Sequence, residues 1–262
     1  MINSIIDTIG NTPLIKLKYP SEITACEIYG KAEFLNPGGS IKDRTALGII
    51  NDAEEKKLLE PGGIVVEGTF GNTGIGLTLV NNAKGYKTVI VMPNITVPSK
   101  RDILMNMGAE LHLVDPAPYS DEGNYQNVSK RLAEKLKNEE NVSVFWSGQF
   151  ENTSNYKFHK ITTAKEIFHQ TNGKIDGFTC AIGTGGTLTG VSQGLKEKNT
   201  NIKIACTDSQ GSSMYNYFVN GKLEKKGEPS ITEGIGQARI TKNLEDCIVD
   251  MSYYVSDYEC ME

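Results

Sequence analysis

The sequence contains no run of about 18 consecutive apolar residues, so it does not predict a transmembrane helix. Its few cysteines are dispersed and none forms a CxxC pair, which disfavours both a disulfide framework and a zinc site. We therefore expect reduced thiols and no bound metal. The cysteines are Cys26, Cys180, Cys206, Cys247 and Cys260.

Positive charge is also scarce. The net charge is −5 and no basic block occurs, so we do not expect nucleic acid as a partner. The N-terminal residues MINSIIDTIGNTPLIKL have neither the basic start nor the apolar core of a secretory signal. We therefore expect a cytoplasmic protein that is not attached to a membrane.

What the chain does contain is an alternation of short β-branched runs with amphipathic stretches. Its 262 residues suffice for one large α/β domain, or for two small ones that share a cleft. The alternation predicts parallel sheets with helices on both faces, and strand-to-helix turns at the sheet edge where ligands bind. The predicted strands are 64–66, 88–91, 110–114, 142–146, 178–182 and 202–207, and helices are predicted at 100–107, 128–137, 157–170 and after residue 183.

Lys42 lies in the segment NPGGSIKDR, residues 36–44. Ser40 fits the N-cap position, and the apolar residues that follow have helical spacing, which predicts that Lys42 lies in the first turn of a helix. The positive helix end lowers the pKa of an amine, as suits a lysine that must lose its proton to attack an aldehyde. A solvated lysine between charged neighbours remains the alternative.

Three further turns are rich in glycine. In residues 67–74 (EGTFGNTG), amides and hydroxyls converge on a helix N-terminus, which suits a carboxylate. In residues 183–187 (GTGGT), three glycines let the backbone approach an anion, and a phosphate is the expected occupant. Residues 233–236 (EGIG) predict either close approach to a ligand or a simple turn. Ordinary tight turns remain the alternative for all three.

Taken in order, these motifs resemble the cysteine synthase and cystathionine β-synthase family, which are fold type II pyridoxal phosphate enzymes. The resemblance extends from NTPL at residues 11–14 to about Asp257. Residues 36–44 resemble NPxxSxKDR, 149–152 (QFEN) resemble QFxN, 159–167 (HKITTAKEI) resemble HxxTTxxEI, and 230–236 resemble SITEGIG. The order of the motifs is far more specific than any single motif.

The resemblance implies a role for each motif. Lys42 carries the cofactor as a Schiff base and acts as the catalytic base, and Glu233 is a second candidate catalytic residue that could direct a water or a proton. For Glu233, a purely structural loop residue is the alternative. The implied cofactor-binding residues are Lys42, Asn72, Gly183, Thr184, Gly185, Gly186 and Thr187. The implied substrate-binding residues are Thr69, Phe70, Gly71, Asn72, Thr73, Gln149 and Gly234.

Three features depart from the family pattern. Phe70 stands where the family has a small residue, commonly Ser or Ala, and we expect it to narrow the substrate pocket. Residues 97–101 (VPSKR) replace a Ser-x-Glu-Arg pattern. The sequence ends at Glu262, before the segment with the Ser or Thr that hydrogen-bonds the pyridine nitrogen in family members. If the molecule ends there, weak or absent activity is expected.

The function that the resemblance implies is β-replacement on O-acetylserine, or a related activated serine, by sulfide through an aminoacrylate intermediate. One alternative is β-elimination or hydrolysis of L-cysteine with release of hydrogen sulfide. Another is an inactive cofactor-binding relative that acts through a protein partner. A nicotinamide-dependent oxidoreductase is disfavoured, because the sequence has no GxGxxG motif with an acidic partner.

The resemblance also implies an α/β architecture of two domains, similar to the tryptophan synthase β subunit, with the cofactor in the cleft between them. The smaller, mobile domain covers residues 37–146 and carries the substrate loop. The larger domain combines residues 1–36 with 147–262 and binds the cofactor phosphate. A homodimer is implied as well, and analogy alone suggests serine acetyltransferase as a partner.

Overall fold

Strands and helices alternate through residues 2–262, the part of the chain that the computed structural model describes. Met1, which belongs to the N-terminal segment and to the larger expected domain, lies outside the described residues. The strands are β1 (Leu14–Lys16), β2 (Tyr29–Lys31), β3 (Ile64–Gly68), β4 (Lys87–Pro93), β5 (Glu110–Val114), β6 (Val144–Trp146), β7 (Gly177–Cys180), β8 (Lys203–Ser209) and β9 (Met251–Val255). The helices are α1 (Lys18–Thr24), α2 (Lys42–Glu55), α3 (Asn72–Lys84), α4 (Pro98–Asn106), α5 (Tyr125–Glu139), α6 (Ser154–Ile161), α7 (Thr163–Gln170), α8 (Gly186–Lys196), α9 (Met214–Asn220) and α10 (Asp257–Met261).

Parallel strands form the two main sheets. One sheet has the strand order β5-β4-β3-β6, and the other has the order β7-β8-β9. The short strands β1 and β2 pair antiparallel and stand apart from both sheets. The α/β class with parallel sheets, expected from the alternation of the sequence, is therefore confirmed.

Strand β3 shows why helices cover both faces of its sheet. All of its residues are buried, as expected for a central parallel strand that reads as a continuous apolar run. Because side chains alternate along a strand, Ile64 and Val66 pack with Ala133 of α5 on one face. Val65 points the other way and packs with residues of α2 and α3, including Leu77.

The three-stranded sheet packs mainly against α7 and α8. Ile204 and Cys206 of the central strand contact apolar side chains of these helices, including Ile167 and Leu188. Helix α6 lies against both α8 and α2, and α2 lies against α3. The helices that begin at the glycine-rich turns are therefore held in one continuous layer.

The helix predicted for residues 157–170 is instead two helices. Helix α6 ends at Ile161 and α7 starts at Thr163, with Thr162 at φ −115° and ψ −74° between them. The hydroxyl of Thr162 donates to the carbonyl of Phe158 at 2.6 Å. Threonine hydroxyls that bond back to the preceding turn bend helices, so the break has a local cause that apolar periodicity does not reveal.

Helix α5 is 15 residues long and amphipathic rather than apolar throughout. Among residues 2–262, no helix combines the length and the apolar composition that crossing a bilayer requires.

Candidate active site

Lys42 is the first residue of helix α2. Ile41 rather than Ser40 takes the N-cap position, and Ser40 instead accepts a hydrogen bond at its Oγ from the backbone amide of Lys42 at 3.2 Å. The carboxylate of Asp43 accepts from the amide of Gly38 and so closes the preceding turn. A Cβ on Gly38 would lie 2.3 Å from Asp43 Oδ1, so a larger residue there would displace this carboxylate.

The amine of Lys42 lies in a desolvated environment. Burial lowers the pKa of Lys42, and the nearby thiol of Cys180 opposes that shift. The helix dipole predicted the same direction from the sequence, but burial is the cause that the structure identifies. A lowered pKa leaves more of the amine neutral and therefore able to act as a nucleophile.

Arg44 anchors the start of helix α2 to the rest of the molecule. Its buried guanidinium donates to Glu166 at 2.6 and 2.7 Å and to Glu33 at 2.8 and 2.9 Å. Burial would raise the pKa of Glu166, but hydrogen bonds from Arg44 and Lys31 lower it to about 2. Arg44 and Glu166 therefore stay charged at neutral pH, and this ion cluster fixes where Lys42 begins its helix.

His159 holds the same helix from the side of α6. Its Nδ1 lies 2.9 Å from Thr163 Oγ1 and its Nε2 lies 3.3 Å from Thr45 Oγ1, within fully buried surroundings. Burial, helped by the charge of Arg44, lowers the pKa of His159 to about 3, so the ring is neutral. The HKITTAKEI stretch therefore positions α2 through His159, Thr163 and Glu166.

The turn between β3 and α3 holds the predicted carboxylate loop. Gly71 adopts φ 142°, and its amide donates to Thr69 Oγ1 at 3.1 Å. Asn72 is the first residue of helix α3 and is exposed to solvent. Thr73 is buried and donates from Oγ1 to Gln149 Oε1 at 2.7 Å. Two segments that the sequence analysis assigned to the substrate carboxylate are thus in direct contact.

Phe70 is the unusual residue of this loop and is 43% exposed. Its ring meets Tyr125, at the start of α5, edge to face, with centroids 5.0 Å apart and an interplanar angle of 78°. Aromatic pairs favour this arrangement, so the Phe70 ring packs in a defined orientation against α5.

The GTGGT loop joins strand β7 to helix α8. Gly185 is the N-cap at φ 91°, in the left-handed region that glycine tolerates best. Thr184 Oγ1 accepts from Asn155 Nδ2 at 3.0 Å and from the amide of Gly186 at 3.3 Å. A Cβ on Gly186 would lie 2.2 Å from Asn155 Oδ1, so Asn155 presses directly against the loop. The resulting helix N-terminus offers amides to an anion.

The fourth turn packs directly on the GTGGT loop. The amide of Gly236 donates to the carbonyl of Ile182 at 2.8 Å, and Gln237 Nε2 donates to the carbonyl of Gly183 at 3.0 Å. A Cβ on Gly183 would lie 2.5 Å from the carbonyl oxygen of Gly234. Gly183 therefore serves close packing between the two turns, whereas Gly234 has open space beside it and adopts φ 79°, a left-handed conformation that favours glycine.

Glu233 is held by an ion pair with Lys100 of helix α4. The side chain of Glu233 is 52% exposed, whereas that of Lys100 is 21% exposed. The stem of Lys100 covers the carboxylate loop, because a Cβ on Gly71 would lie 2.6 Å from Lys100 Cδ. One lysine thus touches the carboxylate loop and the fourth turn together.

The turns converge on Lys42. Its carbonyl oxygen would lie 2.9 Å from a Cβ on Gly76, one turn into α3. On its other side it faces Cys180, the last residue of β7, shortly before Gly183. The backbone of Lys42 therefore packs against the first turns of α3, and its amine faces the strand that leads into the GTGGT loop. A lysine that can attack a carbonyl thus lies near two turns that suit anions.

Two residues in this region were not singled out from the sequence. Asn155 supports Thr184 and also donates to the backbone carbonyl of Gln149 at 3.0 Å. Glu67 is buried and accepts hydrogen bonds from Ser147 and Gln149. The one available signal was a glutamate within an otherwise apolar strand, since a buried carboxylate requires partners.

Comparison with known proteins agrees with this geometry. A family model described as pyridoxal-phosphate dependent enzyme matches residues 5–262. Cysteine synthase 1 of Neurospora crassa is 50% identical over 258 residues, which cover 97% of this chain and 67% of that protein.

Two solved structures show the same fold. The structure of O-ureido-L-serine synthase matches with a TM-score of 0.87 at 33% identity, covering 98% of this chain and 77% of that one. A hydrogen sulfide-producing enzyme from Fusobacterium nucleatum matches with a TM-score of 0.83 at 33% identity, covering 100% and 82%. These matches confirm the resemblance and the fold type inferred from the ordered motifs. The chain therefore belongs to the cysteine synthase family of pyridoxal-phosphate dependent enzymes.

Proposed function

We propose that this protein is a cysteine synthase-like enzyme that replaces the β-substituent of an activated serine, O-acetylserine foremost, with sulfide. The observation that carries the proposal is the position of Lys42. Its amine is desolvated and faces Cys180, on the strand that leads to the GTGGT loop and α8, and its backbone packs against α3 at Gly76. The name of the Neurospora crassa relative supports the same reaction.

The residues present suit pyridoxal phosphate, the cofactor of this family. Lys42 offers an amine with a lowered pKa for attachment. The N-terminus of α8, with Gly183, Gly185 and Gly186 packed too closely for side chains, suits the cofactor phosphate, and Thr184 and Thr187 supply hydroxyls. The exposed residue Asn72, at the start of α3, suits the phenolic oxygen.

When bound, the cofactor supplies an electron sink for bond changes at the α- and β-carbons of the substrate. In the proposed reaction, the incoming amino acid frees the amine of Lys42. Lys42 Nζ then takes the α-proton of that amino acid. Acetate leaves with the electrons of the broken β-carbon–oxygen bond, and hydrosulfide forms the new β-carbon–sulfur bond. The ammonium of Lys42 then returns its proton to the α-carbon, so the products are cysteine and acetate.

The substrate carboxylate is assigned to the loop before α3. Thr69 and Gly71 lie in this loop, Thr73 follows in the first turn of α3, and Gln149 accepts a hydrogen bond from Thr73. Phe70 lies in the same loop, so its ring borders the substrate. We expect Phe70 to limit the size of the group that reaches the β-carbon, because a phenyl ring is larger than the Ser or Ala that family members commonly have at this position.

A parallel product assay with O-acetylserine, O-phosphoserine and L-cysteine tests the proposal, with cysteine and sulfide both measured. We expect cysteine to form from O-acetylserine and sulfide, and Lys42→Ala to abolish its formation. Lys56→Ala is the matched control, since Lys56 follows α2 and is 57% exposed in a pair with Asp52. If the wild-type protein forms no cysteine from either activated serine, the proposal is wrong.

A second candidate function is the release of hydrogen sulfide from L-cysteine. The similarity to a hydrogen sulfide-producing enzyme favours it. Glu233 is the proposed residue for directing a water or a proton, and for this it must leave its ion pair with Lys100. Sulfide release should fall in Glu233→Gln and persist in Glu228→Gln, an exposed neighbour. If both variants release sulfide equally, Glu233 does not have this role. Normal turnover by the wild-type protein would exclude the alternative of a non-catalytic protein.

We also propose that residues 37–146 form a smaller domain that moves against residues 1–36 and 147–262. The four-stranded sheet lies within the first range and the three-stranded sheet within the second. Cofactor binding between the two sheets should then protect the connecting segment near residue 147 from proteolysis. Unchanged cleavage there would argue against the division.

A homodimer and a cytoplasmic location remain proposals. Exposed apolar side chains around the β1–β2 hairpin support self-association, since large apolar patches mark interfaces. They include Ile15, Leu17, Tyr29, Phe34 and Leu35. Light scattering should give twice the mass of the chain, and Phe34→Glu should halve it. A monomeric mass for the wild-type protein would exclude the dimer.

A further inference from the structure

Glu67 has no role in the reaction outlined above, although it lies directly before the carboxylate loop. It is 2% exposed at the end of strand β3. Its Oε2 accepts from Ser147 Oγ and from the backbone amide of Gln149 at 3.2 Å. Its Oε1 accepts from Gln149 Nε2 at 3.2 Å. A buried carboxylate that lines a cleft is a candidate functional residue.

Gln149 connects this carboxylate to the loop that meets the substrate. On one side, its Nε2 donates to Glu67 and to the carbonyl of Gly68 at 3.4 Å. On the other side, its Oε1 accepts from Thr73 Oγ1 at 2.7 Å. An ionised carboxylate can only accept hydrogen bonds, so it holds Nε2 toward itself. Thr73 then donates its single hydroxyl proton to Gln149 Oε1.

A protonated Glu67 reverses this arrangement. A carboxylic acid can donate to Gln149 Oε1, which turns the amide so that Nε2 faces Thr73. Thr73 Oγ1 then accepts from Gln149, and its own proton becomes free. A substrate carboxylate needs donors, so it gains the hydroxyl of Thr73 in this state and loses the repulsion of a nearby negative charge.

We propose that Glu67 is a positioning residue whose protonation turns the Gln149 amide and directs the Thr73 hydroxyl to the substrate carboxylate, so that amino-acid binding takes up a proton. The inference rests on the proposed function, because it assigns the substrate carboxylate to the loop that contains Thr73.

The electrostatics of Glu67 support both states near neutral pH. Burial raises the pKa of Glu67 to about 7, against the opposing hydrogen bonds from Ser147 and Gln149. Tyr125 of α5 faces the carboxylate, and burial raises its pKa to about 12, so it stays neutral. The same cleft, of about 380 Å³, is also lined by the charged residues Lys130, Glu151 and Lys242.

Calorimetry with L-serine as the probe tests this proposal on the cofactor-loaded protein. Titrations at about pH 7.5 in two buffers of different ionisation enthalpy give the protons taken up on binding. We expect greater uptake by the wild-type protein than by Glu67→Gln, with a difference of up to about one proton. Other charged groups of the cleft are present in both proteins and cancel. Equal uptake by the two proteins would overturn the proposal.

The pH dependence of the dissociation constant gives a second readout. Above the pKa of Glu67, serine binding by the wild-type protein should weaken by up to about tenfold per pH unit relative to Glu67→Gln. A role limited to packing would leave the two pH profiles parallel.

Ser147→Ala keeps the proposal testable if Glu67→Gln fails to fold. Removing the Ser147 hydroxyl takes a donor from the ionised carboxylate, so the midpoint of proton uptake should move to higher pH. Ser143→Ala, four residues earlier and directly before strand β6, should leave the midpoint unchanged. An unchanged midpoint in Ser147→Ala would refute the role of Glu67. If the wild-type protein binds no L-serine, the proposed function falls too, whereas binding without Glu67-dependent uptake refutes this inference alone.

Discussion

Buried ionisable side chains near the site differ in the partners that the fold gives them. Arg44 has two carboxylates around it and stays charged, whereas Lys42 has a lowered pKa because burial dominates over the weak effect of Cys180. His159 has only hydroxyl partners and a nearby cation, so it stays neutral. Burial therefore lowers the pKa of the candidate cofactor lysine, whereas the guanidinium that anchors its helix keeps its charge.

His159 should make the protein sensitive to acid. The pKa of His159 is about 3 when folded and 6.5 in its ordinary state, so its contribution to stability is complete above about pH 6.5 and is lost as the pH falls toward 3. At about pH 5 the loss amounts to about 2 kcal/mol. The free energy of unfolding is measured with denaturant above pH 6.5 and at about pH 5. It should fall less between these two conditions in His159→Gln than in the wild-type protein.

His169→Gln is the matched control for that measurement, because His169 lies on the neighbouring helix and is exposed. It should retain the wild-type pH dependence. If His159→Gln lost stability between neutral and acidic pH as steeply as the wild-type protein, a neutral buried imidazole would be the wrong description.

At the scale of elements, the contact between α2 and α3 sets the position of Lys42. Gly76→Ala would place a Cβ 2.9 Å from the carbonyl oxygen of Lys42 and 3.1 Å from the amide of Asp43. Both are backbone atoms and cannot turn away, so the helices must separate. We expect a stability loss of about 1–3 kcal/mol and weaker cofactor binding, measured by urea unfolding and by titration of the visible absorbance.

Gly74→Ala is the comparison on the same helix. A Cβ there would meet the ends of flexible side chains, Thr69 Cγ2 at 3.1 Å and Leu104 Cδ2 at 3.3 Å. Its effect on cofactor binding should therefore be smaller. Equal cofactor affinity in Gly76→Ala and the wild-type protein would show that this helix contact does not position Lys42.

The sequence predicts the elements better than it predicts their ends. Alternating β-branched and amphipathic runs suffice for the parallel sheets, because each run must bury one face or both. The break at Thr162 depends on one hydroxyl bonding to Phe158, and the N-cap at Ile41 depends on Ser40 bonding to Lys42. Both hydrogen bonds are local, but apolar periodicity does not show which of several possible partners a hydroxyl takes, so the ends of the helices could not be predicted.

At the scale of the whole molecule, the ion pair between Lys100 and Glu233 joins α4 to the turn beside the GTGGT loop. Lys100→Met keeps the stem over Gly71 and removes the charge. Since exposed ion pairs contribute about 0.2–1 kcal/mol, we expect the KM for O-acetylserine to rise by up to about fivefold while cofactor affinity is unchanged. Steady-state kinetics at low and high salt give the KM of both proteins. The difference in KM between Lys100→Met and the wild-type protein should shrink at high salt.

Lys56→Met is the control for that prediction, because it removes a partly exposed pair with Asp52 far from the loop. It should leave the KM at its wild-type value. A KM that is the same in Lys100→Met and the wild-type protein would mean that the pair does not help to assemble the site.

The ordered motifs suffice for the family, since each glycine-rich turn needs a distinct backbone geometry at a fixed place in the fold, and they make Lys42 the predicted cofactor lysine. They did not reveal Glu67, Asn155 or the pair of Lys100 with Glu233, because these contacts join segments that are 29 to 133 residues apart in the chain. Long-range partners of this kind follow from topology rather than from local pattern.

The central claim is that Lys42 holds the cofactor. Borohydride reduction of the cofactor-loaded protein fixes the cofactor to the lysine that carries it, and peptide mass spectrometry then locates that lysine. We predict that the added mass lies on Lys42 in the wild-type protein and is lost from the protein in Lys42→Ala. Added mass on a different lysine, such as Lys31 or Lys100, or none at all in the wild-type protein, would contradict the account.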